Sequence, residues 1–417
     1  MHPELLDILR CPYCGGGLEL VESSFHQLRG ELVVDGILAC ECCVFPVVDG
    51  IPVLHLQPAA TAAREQVEAG RPLGARHILL GLDTDRDRER FDAVALSPDA
   101  TFRAVLDALG DQLEAGYLYH RFSDPTFLVA DAIVRAVGAA ALRGGGRAID
   151  ICGGAGHLTR ALPALSSERP VLADLYYPKT WLARRFTAPT ATPVCCDANA
   201  PLPFARGAFT FAVCSDALMY VWVKRLLVSE MLRIVNAPAA GTVLVNHAHN
   251  QQVWSPSHGQ TLTPEGYRRL FDTAEVHTFG ESGLFEHVVA GEAFDLSRDT
   301  PEGVLAGEAA LTFVSSRTPG VFGRHRPQPP GPGVNAGDEW RINPLYDTSE
   351  SGGVVRGRLH FPSADYETEY AASRSYLPAE ILVARDALEA LRSGSTAHGL
   401  EDLIRRRAIL ALPAHYG

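Results

Sequence analysis

The sequence predicts a doubly wound α/β fold on a mostly parallel sheet, with a small cysteine-rich module before it and an α+β extension after it. Three observations predict this. Five cysteines crowd between Cys11 and Cys43; short apolar runs alternate with helix-like segments from about residue 101 to 289; and strand-rich, then helix-like, sequence follows a proline-glycine stretch at 326–333. A chain of 417 residues exceeds one ordinary core. The expected units are a cysteine module at 1–56, a helical surface connector at 57–100, the α/β domain at 101–300 and the extension at 301–417.

Composition sets the class. Hydrophobic residues make up 47% and charged residues 21%, a globular balance that excludes a disordered chain. No apolar run reaches the ~18 residues of a membrane helix, and Met1-His2-Pro3-Glu4 lacks a secretory pattern. The expectation is a soluble, cytoplasmic protein with no membrane partner, in which crowded cysteines indicate metal rather than disulfides. The net charge of -12, with no basic run longer than Arg405-Arg406-Arg407, weighs against nucleic acid and favours a small molecule or peptide as substrate. Self-association is left open.

In the first unit, Cys11-Pro12-Tyr13-Cys14 and Cys40-Glu41-Cys42-Cys43 bracket a strand-and-turn stretch at 30–36. Two thiol pairs at this spacing suit one closed tetrahedral site, so Cys11, Cys14, Cys40 and Cys43 are the expected ligands of a structural zinc. Buried, metal-free cysteines are the alternative. Leu5 through Cys14 and Phe45 through Leu54 resemble the small zinc-ribbon protein that activates several nucleic-acid and protein methyltransferases, although Cys42 is an extra cysteine and Cys43 lies closer to Phe45-Pro46 than the family's last cysteine.

In the α/β unit, Asp124 and Pro125 are a cap and a first helical residue for an apolar helix through Val137. The strand-like runs are 147–152, 170–173, 192–196, 209–214 and 241–246. After the first comes Asp150-Ile151-Cys152-Gly153-Gly154-Ala155-Gly156, a turn that lets backbone approach a cofactor, followed by a helix-like stretch at 157–165. Asp174 ends the second run, where a carboxylate can accept two ribose hydroxyls, and Asp197 ends the third. A nicotinamide enzyme is the structural competitor.

This region, through Asp150 to Gly156, Val171 to Asp174 and Cys196 to Phe204, resembles the class I S-adenosylmethionine methyltransferases. The resemblance implies a seven-stranded methyltransferase sheet and S-adenosylmethionine as cofactor. It puts Gly154 and Gly156 beside the methionine portion, with Gly153 in the same turn an expected cofactor residue, Asp174 on the ribose and Asp197 on the adenine amine. Asp150, Leu175, Ala198, Ser215 and Tyr119 complete the expected cofactor set. Cys152 stands where the family usually has its first glycine.

The acceptor side belongs at the carboxyl ends of the fourth and fifth strands. There Ser215-Asp216 follows one run and Asn246-His247-Ala248-His249 the other. His249 is the expected general base, His247 the next candidate, and Asp216 an orienting or amine-binding group. Metal binding by His247, His249 and His258 is the alternative. The function expected is methyl transfer to an oxygen or nitrogen of a small molecule or peptide; a non-catalytic scaffold and an RNA methyltransferase are the competing readings.

Overall fold

The computed structural model describes residues 1–23, 25–110, 114–235, 241–255, 259–272, 274–327, 338–395 and 399–417. In the first unit a 3-10 turn, Pro3–Asp7, leads to β1 (Glu19–Leu20), β2 (Gln27–Arg29), β3 (Leu32–Ala39), β4 (Val44–Val48) and β5 (Ile51–Pro52). β1, β3, β4 and β5 pair antiparallel in that order, and β2 pairs on β3. Gly30, at φ +61°, turns the chain between β2 and β3.

So small a unit buries little by itself. Leu9, Leu38, Phe45 and Val47 instead join one core with Val194, Phe204 and Ala212 of the following domain. The main chain fastens the two as well: the Arg10 N–H donates to the Pro203 carbonyl (2.9 Å), Ala205 to Ile8 (2.8 Å) and Leu54 to Cys195 (2.7 Å).

Four helices follow: α1 (Pro58–Glu68), α2 (Pro72–Leu79), α3 (Asp85–Ala95) and α4 (Phe102–Leu109). Thr84 and Thr101 cap the last two, accepting the N–H of Asp87 and Ala104. The connector is helical as expected, but it is no surface layer. Ala60, Ala63, Val67 and Phe91 are buried with Ile37, Val48 and Val53 of the first unit. Alanines at helical spacing within a charged composition conceal such a face.

α5 (Ala115–His120) precedes α6 (Pro125–Ala141), which begins as predicted: the Asp124 carboxylate accepts the Phe127 N–H at 2.6 Å and Pro125 opens the helix. The central sheet comprises β6 (Ala148–Ile151), β7 (Val171–Asp174), β8 (Thr192–Cys195), β9 (Phe211–Ser215), β10 (Thr242–His249) and β11 (His277–Gly280), closed by a seventh strand further on. α7 (Tyr177–Leu182), α8 (Lys224–Ile234), α9 (Pro264–Arg268) and α10 (Glu281–Ala290) lie between them in sequence. Every residue of β6 to β9 is buried, because helices cover both faces of a parallel sheet. The helix-like stretch at 157–165 is a 3-10 helix, Thr159–Ala164, interrupted by Pro163, which lacks the N–H an α-helix needs.

After β12 (Phe294–Asp295) and α11 (Glu302–Leu305) comes the seventh strand, β13 (Ala310–Ser316). The sheet order is β11-β13-β10-β9-β6-β7-β8, with β13 alone running antiparallel to its neighbours. β13 lies within 301–417, so that stretch both completes the sheet and forms the extension. A short β14 (Arg324–His325) pairs with β12. The extension itself holds β15 (Glu339–Ile342), β16 (Tyr346–Ser351), β17 (Val354–Leu359), α12 (Ala364–Tyr370), β18 (Glu380–Ala384), α13 (Arg385–Arg392), α14 (Glu401–Arg405) and β19 (Ile409–Leu412). It is strand-rich early, as expected, but the helical stretch after Pro378 also contains two strands. In β18 only Ile381 and Val383 are buried, a period of two that wins over the helix-forming composition around it. Among the described residues no helix is long and apolar enough to cross a membrane.

Candidate active site

The cysteines gather at one end of the first unit. The four sulfurs within 4.8 Å of one another are those of Cys11, Cys14, Cys40 and Cys42. Cys42 thus takes the place expected for Cys43, whose sulfur lies 3.4 Å from that of Cys42. Zn–S bonds of ~2.3 Å at tetrahedral angles separate sulfurs by roughly 3.8 Å. Cys14 to Cys40 is 3.7 Å and Cys40 to Cys42 is 3.6 Å, so the donor set fits that ion.

Across the sheet, the glycine turn and two acids meet at the carboxyl ends of β6, β7 and β8. Cys152, Gly154 and Gly156 all have positive φ, +58°, +54° and +79°. Cys152 therefore adopts the left-handed conformation that glycine usually supplies. A Cβ on Gly153 would come within 2.8 Å of the Asp150 carboxyl, and one on Gly156 within 2.9 Å of the Ala183 Cβ, whereas Gly154 has nothing closer than 4.0 Å. The turn is packed from behind and open at Gly154, a cradle that a ligand can approach.

The Gly154 N–H donates to one Asp174 oxygen (2.9 Å) and the Tyr176 N–H to the other (2.8 Å). A carboxylate has about four lone-pair sites, so these two bonds leave room for a ligand donor. Burial raises the Asp174 carboxyl above its usual range, and Lys179 opposes that shift. Asp150 is buried deeper, accepts the Thr159 hydroxyl at 2.6 Å and is pushed by burial up to about 7. Half-buried Asp197 accepts both the backbone and side-chain N–H groups of Asn199, at 2.8 and 3.0 Å. Ala198 is buried beside it, and the Leu175 carbonyl accepts the Cys195 thiol at 3.2 Å.

The second group lies one and two strands over, at the ends of β9 and β10. Asp216, His247 and His249 each place a donor atom within 4.8 Å of the others. Asp216 and His247 both have φ +53°, uncommon for residues with side chains. A bulge between Val245 and Ala248, opposite β13, re-aims β10 at this point. It turns His247 toward Glu281, the first residue of α10: Glu281 accepts the His247 N–H and contacts Nδ1, both at 2.7 Å, and is itself bonded by the Thr312 hydroxyl at 2.7 Å. Burial acts to lower the His247 pKa, but the Glu281 carboxylate outweighs it and raises it to about 9. His249, bonded through Nδ1 to the Ser255 hydroxyl at 2.9 Å, is pushed down to about 4 by burial and by the neighbouring His247.

Asp216 is held from the opposite side. The buried Arg121 guanidinium bridges Asp124 (2.9 Å) and Asp216 (3.2 Å), and the Tyr117 hydroxyl reaches Asp216 at 3.4 Å. Ser215 Oγ and both side-chain polar atoms of Asn246 are buried without a partner in the structure. Such orphaned groups are rare unless something binds them.

No family model matches the chain. Two curated relatives match its N-terminal part: UPF0434 proteins from Azotobacter vinelandii, 43% identical over 61 residues, and from Stutzerimonas stutzeri, 43% identical over 63 residues. Each match spans 15% of this chain and 85% of the relative. Through this module the chain belongs to the UPF0434 family. Part of the chain is also similar to solved methyltransferase structures at low identity. One is an S-adenosylmethionine-dependent methyltransferase from Thermotoga maritima (16% identical, covering 52% of this chain and 99% of that one, TM-score 0.34). Another is a chain of the complex between the Haloferax volcanii Trm112 methyltransferase activator and a methyltransferase (17%, 52% and 97%, TM-score 0.34). A third is geranyl diphosphate C-methyltransferase from Streptomyces coelicolor A3(2) (14%, 54% and 84%, TM-score 0.33). Superpositions this loose carry no functional argument.

The structure thus brings together Asp150, Gly153, Gly154, Gly156, Asp174 and Leu175 as one group, with Asp197 and Ala198 at the next strand, and Ser215, Asp216, His247 and His249 as another. It does not bring Tyr119 to either. That ring stacks on Tyr416 at 5.3 Å under the Arg103 guanidinium, while Tyr117, two residues earlier, faces Asp216. His258 lies outside the described residues. Glu281 and Arg121 were not singled out as site residues, and the only sequence signal for Glu281 is an acid where a short apolar strand meets a helix. In the UPF0434 module, Cys42 rather than Cys43 completes the sulfur set.

Proposed function

We propose that the chain is an S-adenosylmethionine-dependent methyltransferase acting on an oxygen or nitrogen of a small molecule or peptide, with one structural zinc held by Cys11, Cys14, Cys40 and Cys42 in its UPF0434 module. The observation that carries this reading is the Asp174 carboxylate. It is tied to the Gly154 turn across the ends of β6 and β7, and two and three strands from it, at β9 and β10, stand Asp216 and then His247 and His249.

When bound, the cofactor supplies a sulfonium methyl whose transfer releases a neutral thioether. Asp174 accepts the two ribose hydroxyls with its remaining lone pairs, and Asp197 meets the adenine amine between Leu175 and Ala198. The backbone of Gly153 to Gly156 lines the methionine portion, and Ser215 offers its hydroxyl beside it. Asp150 fixes the turn from beneath through Thr159. On the acceptor side, Asp216 and His247 hold the nucleophilic atom and His249 receives its proton. His249 is the recipient because Ser255 occupies only its Nδ1.

Calorimetry with S-adenosylmethionine tests the first half of this assignment. Asp174→Ala should lose at least about 100-fold in affinity, since two charge-assisted hydrogen bonds are each worth about 1.5–3 kcal/mol. Asp197→Ala should lose less, having one amine to hold. Affinity unchanged in Asp174→Ala would remove the ribose assignment. Formation of S-adenosylhomocysteine across a library of hydroxyl and amine acceptors tests the second half, and cofactor binding with no turnover on any acceptor would count for a scaffold.

A further inference from the structure

Direct proton transfer to one histidine leaves several features of the acceptor group without a purpose. Both imidazoles are gripped through Nδ1, by Glu281 at 2.7 Å and by Ser255 at 2.9 Å. Each Nε2 is thereby left as the outward nitrogen; that of His247 has only the Thr126 hydroxyl at 3.4 Å. A histidine oriented by a carboxylate behind it is the usual supporting arrangement of metal-ligating imidazoles.

The third donor is a carboxylate. Arg121 approaches Asp216 through Oδ2 at 3.2 Å, as does the Tyr117 hydroxyl at 3.4 Å. The three donors lie within 4.8 Å of one another, little more than the ~4.2 Å between opposite ligands around an ion with bonds of roughly 2.1 Å. The charge balance points the same way. Arg121 bridges two carboxylates, Asp124 and Asp216, while Glu281 pairs with His247, so carboxylates outnumber the cations bonded to them.

We propose that Asp216, His247 and His249 form a binding site for one divalent cation, with Glu281 as the group that orients His247, and that the cation's open positions take an oxygen of the methyl acceptor. Two nitrogens and one carboxylate leave about half of an octahedral shell open, and the donor types suit manganese, iron, nickel or zinc. The proposal rests on the methyltransferase reading for its acceptor, and it makes His249 a ligand rather than the proton's recipient. In the transfer, the acceptor's O–H proton leaves to solvent water and its oxygen lone pair forms the new bond to the methyl carbon. The carbon–sulfur bond breaks with its electrons going to sulfur.

The test uses the full chain with its cysteine module already loaded with zinc, titrated with Mn²⁺ and followed by the loss of the free-ion paramagnetic resonance signal. The wild type should bind one Mn²⁺. His249→Gln should abolish that binding, and Glu281→Gln should weaken it about 10- to 100-fold, the usual effect of removing a supporting partner. Calorimetry with S-adenosylmethionine on the same preparations shows whether each variant is folded. No Mn²⁺ bound by the wild type, or equal binding by wild type and His249→Gln, overturns the site. Cofactor binding without metal leaves the methyltransferase reading intact and removes this proposal alone. Metal binding without cofactor does the reverse.

Discussion

Asp150 is a carboxyl the fold prefers to keep protonated, and that has a measurable consequence. It is 1% exposed at the end of β6, with the Thr159 hydroxyl as its donor and the Asp174 carboxylate nearby; burial first and that charge second raise it to about 7. In the unfolded chain it titrates near ~4, so between these values the folded form holds an extra proton. Its contribution to stability is therefore complete below ~4, declines as pH rises through about 7 and is lost above, with an upper bound on the order of 4 kcal/mol. Asp150→Asn should flatten the change in melting temperature of the ligand-free chain between pH 5 and pH 8; equal slopes in variant and wild type would show that Asp150 is already ionised in the fold. Acids that end apolar runs, such as Asp174 and Asp197, are legible in the sequence because strand length fixes where they fall, and Asp150 is legible from the glycine turn that follows it. Arg121 and Glu281 are not, since their contacts to Asp216 and His247 depend on chain segments far apart in sequence. Cys42 and Cys43 are adjacent, and which sulfur faces the set is decided by turn dihedrals that spacing does not encode.

At the scale of elements, the UPF0434 module is held by its sulfur cluster at one end and by sheet contact at the other. Val53 bridges Cys195 in parallel, so the module borders β8, the strand at the edge of the central sheet. An edge strand left open invites unwanted pairing, and this contact covers it. Cys14→Ser removes one of four zinc ligands and should lower the melting temperature clearly, because metal binding contributes folding energy in a unit with little core of its own. Cofactor affinity in the surviving folded protein should change little, as Asp174 lies on β7 rather than on the module. A fall in affinity larger than the fall in stability would show that the module shapes the cofactor site directly. Elemental analysis giving well under one zinc per chain would remove the premise. The five parallel strands β6 to β10 were readable as short apolar runs because a parallel sheet buries both faces. β13, β18 and β19 were obscured, the last two because strands among Ala, Leu and Arg resemble helix by composition.

At the scale of the whole molecule, the extension braces the segment that holds Asp216. The Tyr376 hydroxyl donates to the Ser123 carbonyl (2.7 Å), Ser123 donates to Asn343 (2.7 Å) and Arg407 donates to the Phe122 carbonyl (3.0 Å), fixing the turn between Arg121 and Asp124. Tyr416 closes the arrangement. It is fully buried, stacks on Phe102 at 4.9 Å and on Tyr119 at 5.3 Å, and sets its hydroxyl 2.9 Å from the Tyr119 carbonyl and 3.2 Å from that of Leu118. Two terms compete here, ring burial and a shared hydrogen bond. Removing a buried aromatic ring costs about 3–5 kcal/mol, whereas losing one such hydrogen bond costs about 0.5–1.5 kcal/mol. Tyr416→Ala should therefore destabilise the chain several-fold more than Tyr416→Phe in denaturant titration. Because the ring packs on α4 and α5, Tyr416→Ala should also loosen the approach of Tyr117 and Arg121 to Asp216. The readout is turnover falling while cofactor affinity stays within a few-fold. If Tyr416→Phe proves as damaging as Tyr416→Ala, the hydroxyl rather than the stacked ring holds the extension to α5, and the bracing acts through the carbonyls of Leu118 and Tyr119.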